Sequence, residues 1–447
     1  MEYQLAIIGG GPAGYTAAEA AGKAGLKVVL FEENNVGGVC LNEGCIPTKT
    51  LLYSAKVHDS ARHASKYGVN VADVSADLPK IISRKSRIVR KLTLGIKGKL
   101  AACNVEIVNG HAEIVDKNHV RCNGATYACG KLMLCAGSET FIPPLTGLSD
   151  VGYWTHRHAL DCKELPASLA VIGGGVIGME FASFFNSLGV KVTVIEMLDK
   201  ILGPMDREIS AMLCAEYAKR GVVFLLGTKV TGVAQEQDGI HVVYENGQGA
   251  GVAVAERLLL SVGRRPAMKG FGLENLGLKH TERGLIQTDE HLQSSVEGVY
   301  VCGDLNGVSL LAHTAVREAE VAVNHILGVD DRMDYRAVPS VVYTNPEVAG
   351  VGATEEMLQQ AQVPHRALKI PMAYSGRFVA ENEGLNGLCK VLVADDDTVL
   401  GAHVLGNPAS EIITLATMAI ETKMKLKDWK KIIFPHPTVC EIFREAL

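Results

Sequence analysis

Two stretches of this chain, Leu5 to Glu32 and Leu169 to Glu196, carry one pattern twice, each position of the second lying 164 residues after its counterpart, as Leu169 lies after Leu5. Each copy reads as an apolar strand, then glycines spaced GxGxxG, then an alanine- or phenylalanine-rich helix. A β-branched strand follows, Lys27 to Glu32 or Lys191 to Glu196, and ends on a glutamate. That order is a βαβ unit, so the repeat predicts two Rossmann-type domains in an α/β fold. In the first copy Gly9 suits the tight turn, Gly11 lets backbone approach a pyrophosphate, and Gly14 lets helix pack on strand. Glu32, eighteen residues after Gly14, can accept hydrogen bonds from a ribose. Gly173, Gly175, Gly178 and Glu196 repeat the set. The Glu196 carboxylate would repel a 2'-phosphate, and Met197 to Leu202 supplies no arginine to neutralise one; Lys200 is the only cation nearby. NAD is therefore favoured over NADP at the second unit.

At 447 residues the chain has room for about three domains and needs no covalent staples. A hydrophobic content of 47%, a charged content of 21% and a net charge of -5 describe a soluble protein without a single-sign run, which argues against nucleic-acid binding. No apolar run reaches the roughly 18 residues of a membrane span. Tyr3 to Gly10 enter the first strand almost at once, so no leader is expected and a cytoplasmic location is the default. Lys80 to Ala102 is basic and helical in pattern, and Val105 to Val120 alternates as strands do. Pro143, Pro144 and Gly147 mark a hinge. Val262 to Pro266 closes a strand, and Val299 to Asp304 forms another. From Asp334 the character changes to strands at Val338 to Tyr343, Cys389 to Val393 and Val399 to Leu405, with a helix over Ala409 to Met424. The expected boundaries are 1–145 completed by 267–333, then 146–266, then a C-terminal α+β domain over 334–447.

Of eleven cysteines, nine are scattered without metal-ligand spacing and read as buried thiols; no metal site is expected. Cys40 and Cys45 differ. They sit in GGVCLNEGCIPTK just downstream of the first fingerprint, where a disulfide would close a short, reducible loop of no use in stapling a chain this long. Pro47 marks a helix start, which puts Cys45 near the positive end of the helix dipole, and Lys49 is a second group able to hold a thiolate or a reduced flavin. Near the C-terminus, Glu441 follows His436 by five residues, close enough to orient the ring of a general base.

With a reactive dithiol, two dinucleotide folds and a terminal His–Glu pair in this order, the chain resembles the flavin-dependent pyridine nucleotide-disulfide oxidoreductases over its whole length. The family's LNxGCIP[ST]K appears as Leu41 to Lys49 and its HPTxxE as His436 to Glu441, with further matches at Gly263-Arg264-Arg265-Pro266, Gly303-Asp304 and Thr344-Asn345-Pro346-Glu347. The resemblance is strongest to the branch that oxidises dihydrolipoamide. It implies FAD at the first fingerprint, with Lys49, Gly110, Gly137, Ser138, Asp304 and Ala312 also near it, and NAD at the second, lined further by Val230 and Gly263. Glu180 matches the family's glutamate that approaches Lys49 beside the flavin and nicotinamide. Cys40 would exchange with substrate and Cys45 would contact the flavin.

The resemblance also implies a C-terminal dimerisation domain and a homodimer in which His436 of one copy serves the dithiol of the other. The partner would be a lipoyl-bearing protein of a 2-oxoacid dehydrogenase complex or of the glycine cleavage system. Val39, Ala136, Thr314 and Phe434 depart from the family's usual residues. Reductases of glutathione-like disulfides or of mercuric ion share the fold, but they usually prefer NADP, against which Glu196 argues.

Overall fold

The computed structural model describes residues 2–447, and the chain divides into two compact units. The first takes in residues up to Thr50, Ser83–Phe141 and Gly263–Asp334; the second takes in Leu51–Ile82, Ile142–Val262 and Tyr335–Leu447.

In the first unit the strand Tyr3–Ile8 lies between two parallel neighbours, Val28–Glu32 and Ala125–Leu134. Glu106–Asn109 extends the sheet on one side and Val299–Val301 pairs with Ala125–Leu134 on the other. Ile8 stands opposite both Phe31 and Leu134, and Leu134 opposite Val301. The strands therefore end together, and the residues after them leave at one carboxyl edge, where open α/β sheets bind ligands. Leu5 and Ile7 pack on one face with Ala17, Ala21, Ala319 and Ala322, while Ala6 and Ile8 pack on the other with Leu132 and Leu305. Burial on both faces explains why the strand reads as a continuous apolar run rather than an alternation. The first half of Ala125–Leu134 instead pairs antiparallel with His119–Cys122, which pairs in turn with Ala112–Asp116.

The second unit repeats the arrangement in a parallel sheet ordered Val223–Leu225, Lys191–Ile195, Ser168–Ile172, Arg257–Leu260. Leu169 and Val171 face Phe181 and Phe184 of the helix Val176–Ser187, and Ala170 and Ile172 face the opposite core. This unit also holds a five-stranded antiparallel sheet ordered Ser340–Val342, Val348–Gly352, Val399–Leu405, Leu388–Ala394, His365–Pro371. The helix Ala409–Glu421 covers it through Ile412, Ile413 and Ala416.

Four details depart from the sequence reading. The expected strand Val262 to Pro266 is broken at Gly263, whose φ of +118° ends one run. Arg257–Leu260 joins the parallel sheet, whereas Arg264–Pro266 pairs antiparallel with Ser138–Thr140. The helix expected over Ala409 to Met424 stops at Glu421, and Lys423 turns left-handed just beyond it. A three-stranded antiparallel sheet, Lys229–Glu236, Gly239–Asn246 and Gly249–Ala255, was not foreseen; it leaves Val243, Val252 and Val254 exposed, so its pattern has little apolar contrast. Cys103, Cys214 and Cys440 are only half-buried, while the other six scattered cysteines are buried as expected. Among the described residues no helix is long and apolar enough to cross a membrane.

Candidate active site: a dithiol loop seated on a dinucleotide fingerprint

In the first fingerprint the outer two glycines are required by contact. Gly9 has φ +100°, and a Cβ there would fall 2.2 Å from the Cys135 carbonyl oxygen; one on Gly14 would fall 1.8 Å from the Gly9 carbonyl oxygen. Glu32 is buried, with Oε2 accepting from the Gly10 N–H at 2.7 Å and Oε1 from the Asn34 N–H at 2.7 Å. Burial holds this carboxyl above its usual range against the opposing pull of the two N–H groups. The second fingerprint repeats the geometry at the same offset. A Cβ on Gly173 would lie 2.3 Å from the Ser261 oxygen and one on Gly178 2.1 Å from the Gly173 oxygen. Glu196 accepts from the Gly174 N–H at 2.6 Å and the Leu198 N–H at 2.8 Å.

Both sites have room at their middle glycine. A Cβ on Gly175 would meet nothing within 4 Å, and one on Gly11 would meet only the Gly38 Cα at 3.8 Å. Neither fingerprint helix, Pro12–Lys23 or Val176–Ser187, is capped by a side chain. Their first N–H groups and the helix dipole suit a pyrophosphate, so the residues present fit a dinucleotide at each place.

The cysteines are held against the first of these sites. Gly37 and Gly38 adopt φ of +110° and +58°, the Gly37 N–H donates to the Gly10 oxygen at 2.7 Å, and a Cβ on Gly38 would sit 2.6 Å from the Gly11 Cα. Only glycine permits that approach. The short helix Gly38–Glu43 carries Cys40, breaks at Gly44, and restarts as Cys45–Arg62 with Cys45 at its first position. The break brings the two thiols into hydrogen-bonding contact. That bond, then burial, then repulsion by Cys45 push the Cys40 thiol well above its ordinary value, with Lys49 opposing. Cys45 stands at a helix start, where negative charge is favoured. Burial raises the phenol of Tyr15 in the fingerprint helix, and both cysteines are close enough to add to that rise.

Around the same sheet edge, the Ser138 hydroxyl donates to Asp304 Oδ2 at 2.5 Å and accepts from Arg264 Nε at 2.8 Å, while Arg264 Nη2 donates to the Ser138 carbonyl at 2.6 Å. Gly137, at φ +74°, accepts from the Ala267 N–H. Gly110 donates its N–H to the Glu32 carbonyl at 3.0 Å, and Ala312 opens the helix Ala312–Ile326. Two supporting residues escaped the sequence reading. Glu318, fully buried, accepts from the Gly303 N–H at 2.5 Å and the Asn306 amide at 2.9 Å, shaping the turn that presents Asp304; its signal was an acid on the apolar face of a helix. Arg264 stood inside a recognised motif without a role.

The remaining candidates divide between the two units. Gly263 belongs to the first unit, where its carbonyl accepts from the Phe141 N–H at 3.1 Å. In the second unit Val230 pairs opposite Tyr244, and Glu180 is buried with Oε1 accepting from the Tyr343 N–H at 3.0 Å. His436 is 81% exposed, and its Nδ1 meets Glu441 Oε1 at 2.9 Å. Glu441 Oε2 accepts from the Thr438 N–H at 2.8 Å; that bond first, and His436 second, hold the carboxyl below its ordinary value. With Nδ1 occupied, Nε2 is the nitrogen that faces outward for chemistry.

Comparison with known proteins agrees with this geometry. The family model for pyridine nucleotide-disulphide oxidoreductases matches residues 3–319, and the model for that family's dimerisation domain matches 338–447. A dihydrolipoyl dehydrogenase of Thermus scotoductus is 41% identical, covering 99% of this chain and 96% of the relative. One from Geobacillus stearothermophilus is 36% identical, covering 100% and 96%. Among solved structures, LpdA from Mycobacterium tuberculosis superposes with a TM-score of 0.91 at 25% identity over 99% of this chain and 98% of that one. The HOCl-induced flavoprotein disulfide reductase RclA from Escherichia coli, as its Cu(II) complex, superposes with a TM-score of 0.88 at 28% identity over 99% of each chain. By these matches over nearly its full length, the chain belongs to the pyridine nucleotide-disulphide oxidoreductase family.

Proposed function

We propose that this protein is a dihydrolipoamide dehydrogenase that oxidises protein-bound dihydrolipoamide to lipoamide and reduces NAD to NADH. The observation that carries the reading is the Cys40–Cys45 pair, hydrogen-bonded and seated by Gly38 on the first fingerprint. His436, its ring fixed by Glu441, removes a proton from one substrate thiol. The resulting thiolate attacks the Cys40 sulfur of the oxidised pair, the Cys40–Cys45 bond breaks, and Cys45 leaves as a thiolate. The second substrate sulfur then displaces Cys40, which leaves as a thiol carrying that sulfur's proton, and the lipoamide disulfide closes. FAD, when bound, supplies the two-electron link between this dithiol and NAD.

In this reading residues 1–145 with 267–333 bind FAD through Gly9, Gly11, Gly14, Glu32, Gly110, Gly137, Ser138, Asp304 and Ala312. Residues 146–266 bind NAD through Gly173, Gly175, Gly178, Glu196 and Val230, with Gly263 beside them, and 334–447 form the interface of a homodimer. His436 of one copy serves the dithiol of the other. Lys49 and Glu180 are assigned to the region where electrons pass between the cofactors. The enzyme works in the cytoplasm with a lipoyl-bearing protein of a 2-oxoacid dehydrogenase complex or of the glycine cleavage system.

The test is the initial rate of NADH formation from dihydrolipoamide by the purified holoenzyme, run in parallel with NADP. A saturable, NAD-selective rate supports the proposal. No rate, with flavin still reduced by NADH, assigns the dithiol to another disulfide substrate.

A further inference from the structure

A buried charge cluster in the second unit lies outside the machinery described so far. Lys390, in the strand Leu388–Ala394, is 1% exposed, and its Nζ meets Asp206 Oδ2 at 2.8 Å and Glu208 Oε2 at 3.2 Å, with Glu355 a third partner. Asp206 is fully buried, and its Oδ1 caps the helix Arg207–Lys219 by accepting from the Glu208 and Ile209 N–H groups. Lys369 and His403 are the cross-strand neighbours of Lys390. Removing two charges from water is expensive, and an apolar pair of similar volume often serves stability as well. What such a pair does supply is a fixed geometry.

Here the geometry leads to the second fingerprint. The loop between Glu196 and Asp206 grips Gly174 from both sides: Glu196 Oε2 accepts from the Gly174 N–H at 2.6 Å, and the Leu202 N–H donates to the Gly174 oxygen at 2.8 Å. Leu202 is buried and held at φ +63°, and the side chain of Ile201 comes within 3.1 Å of where a Gly174 Cβ would stand. The loop is braced internally by the Met205 N–H on the Leu202 oxygen and by Lys200 Nζ on the Met205 oxygen. Its far end is Asp206.

We propose that Lys390 is a positioning residue for dinucleotide binding: by anchoring Asp206 it fixes the loop that clamps Gly174 and aims Glu196 at the ribose. A residue of the dimerisation sheet thereby sets affinity for the nicotinamide cofactor. The inference rests on the reading that NAD binds at the second fingerprint.

The experiment uses the holoenzyme and three variants: Lys390→Met, the double variant Asp206→Asn with Lys390→Met, and Glu196→Gln. The double variant removes both fully buried charges together, leaves Lys369 as the cation for Glu208 and Glu355, and keeps an acceptor for the helix cap, so it remains informative where the single variant fails to fold. Two readouts are taken, KM for NAD in steady-state turnover and the single-turnover reduction of flavin by dihydrolipoamide without NAD. The expected result for the double variant is a KM for NAD raised about 5- to 20-fold with flavin reduction within about twofold of the parent. An unchanged KM in the double variant, with KM raised in Glu196→Gln, overturns the inference and leaves the NAD site standing. No effect of Glu196→Gln on KM or on the preference for NAD over NADP removes the NAD reading and the inference with it. Equal losses in both readouts assign Lys390 to general stability and also overturn the proposal.

Discussion

The doubled fingerprint makes a paired prediction, because the same substitution in each copy must damage a different step. An alanine at position 14 places its Cβ 1.8 Å from the Gly9 oxygen, and one at position 178 places it 2.1 Å from the Gly173 oxygen. An ordinary carbon–oxygen contact is about 3.3 Å, so the helix start must withdraw by ~1.5 Å in Gly14→Ala and by ~1.2 Å in Gly178→Ala. Displacements of that size in packed backbone cost about 2–3 kcal/mol, and they carry the first N–H groups of the helix away from the pyrophosphate. Expressed as affinity, the loss is roughly 30- to 150-fold. Gly14→Ala should purify with little flavin per polypeptide. Gly178→Ala should purify yellow, reduce its flavin with dihydrolipoamide at the parent rate, and show KM for NAD raised by that factor. Flavin content by visible absorbance and KM for NAD by NADH formation measure the two losses. If Gly178→Ala lost its flavin, or Gly14→Ala kept it while KM for NAD rose, the assignment of one cofactor to each fingerprint would be refuted.

The terminal histidine and the buried aspartate give further expectations. His436→Ala should lower dihydrolipoamide turnover by about 10²- to 10⁴-fold while leaving reduction of the flavin by NADH intact; a loss of both in parallel contradicts its role as base. Glu441→Gln should cost less, since an amide oxygen can still accept from Nδ1, and the order of the two rates checks the pairing. At Asp206, burial alone would raise the carboxyl, but the hydrogen bond from Lys390 and the nearby His403 more than offset it and leave it below its ordinary 3.8. A depressed carboxyl adds stability that is present above the unfolded pKa and is lost as pH falls through the lower folded value. Denaturant unfolding should therefore show Asp206→Asn weaker than the parent by about 3–5 kcal/mol at pH 7 and undiminished at pH 5, with the gap closing only below about pH 4. A gap that closes between pH 7 and pH 5 implicates a different group.

Much of the site could be read in the residues because its signals are local. Each set of glycines lies within 23 residues of its own acid, Glu32 or Glu196, the first cysteine follows Glu32 by 8 residues, and strand–glycine–helix–acid is a pattern with a mechanical reason at each position. The His436–Glu441 pair spans one short turn. What escaped depends on distant partners. Arg264 is recognisable as a cation, but its role comes from Ser138, 126 residues away. Glu318 reads as one acid among many until burial against Gly303 gives it work. Lys390 in an apolar strand resembles an edge lysine, and only Asp206, 184 residues earlier, shows why it can be buried. The sheet over Lys229–Glu236, Gly239–Asn246 and Gly249–Ala255 was missed for another reason: half-exposed valines and interspersed glycines blur the alternation that marks a strand.

The relay stands or falls with Cys45, and replacing it tests the account most directly. Cys45→Ser keeps the size of the side chain and the helix start but cannot form a disulfide with Cys40 or carry the leaving thiolate. Turnover of dihydrolipoamide with NAD is predicted to fall to background in the purified variant while FAD stays bound in full amount. Turnover at the parent rate in a flavin-replete Cys45→Ser enzyme would contradict the dithiol mechanism.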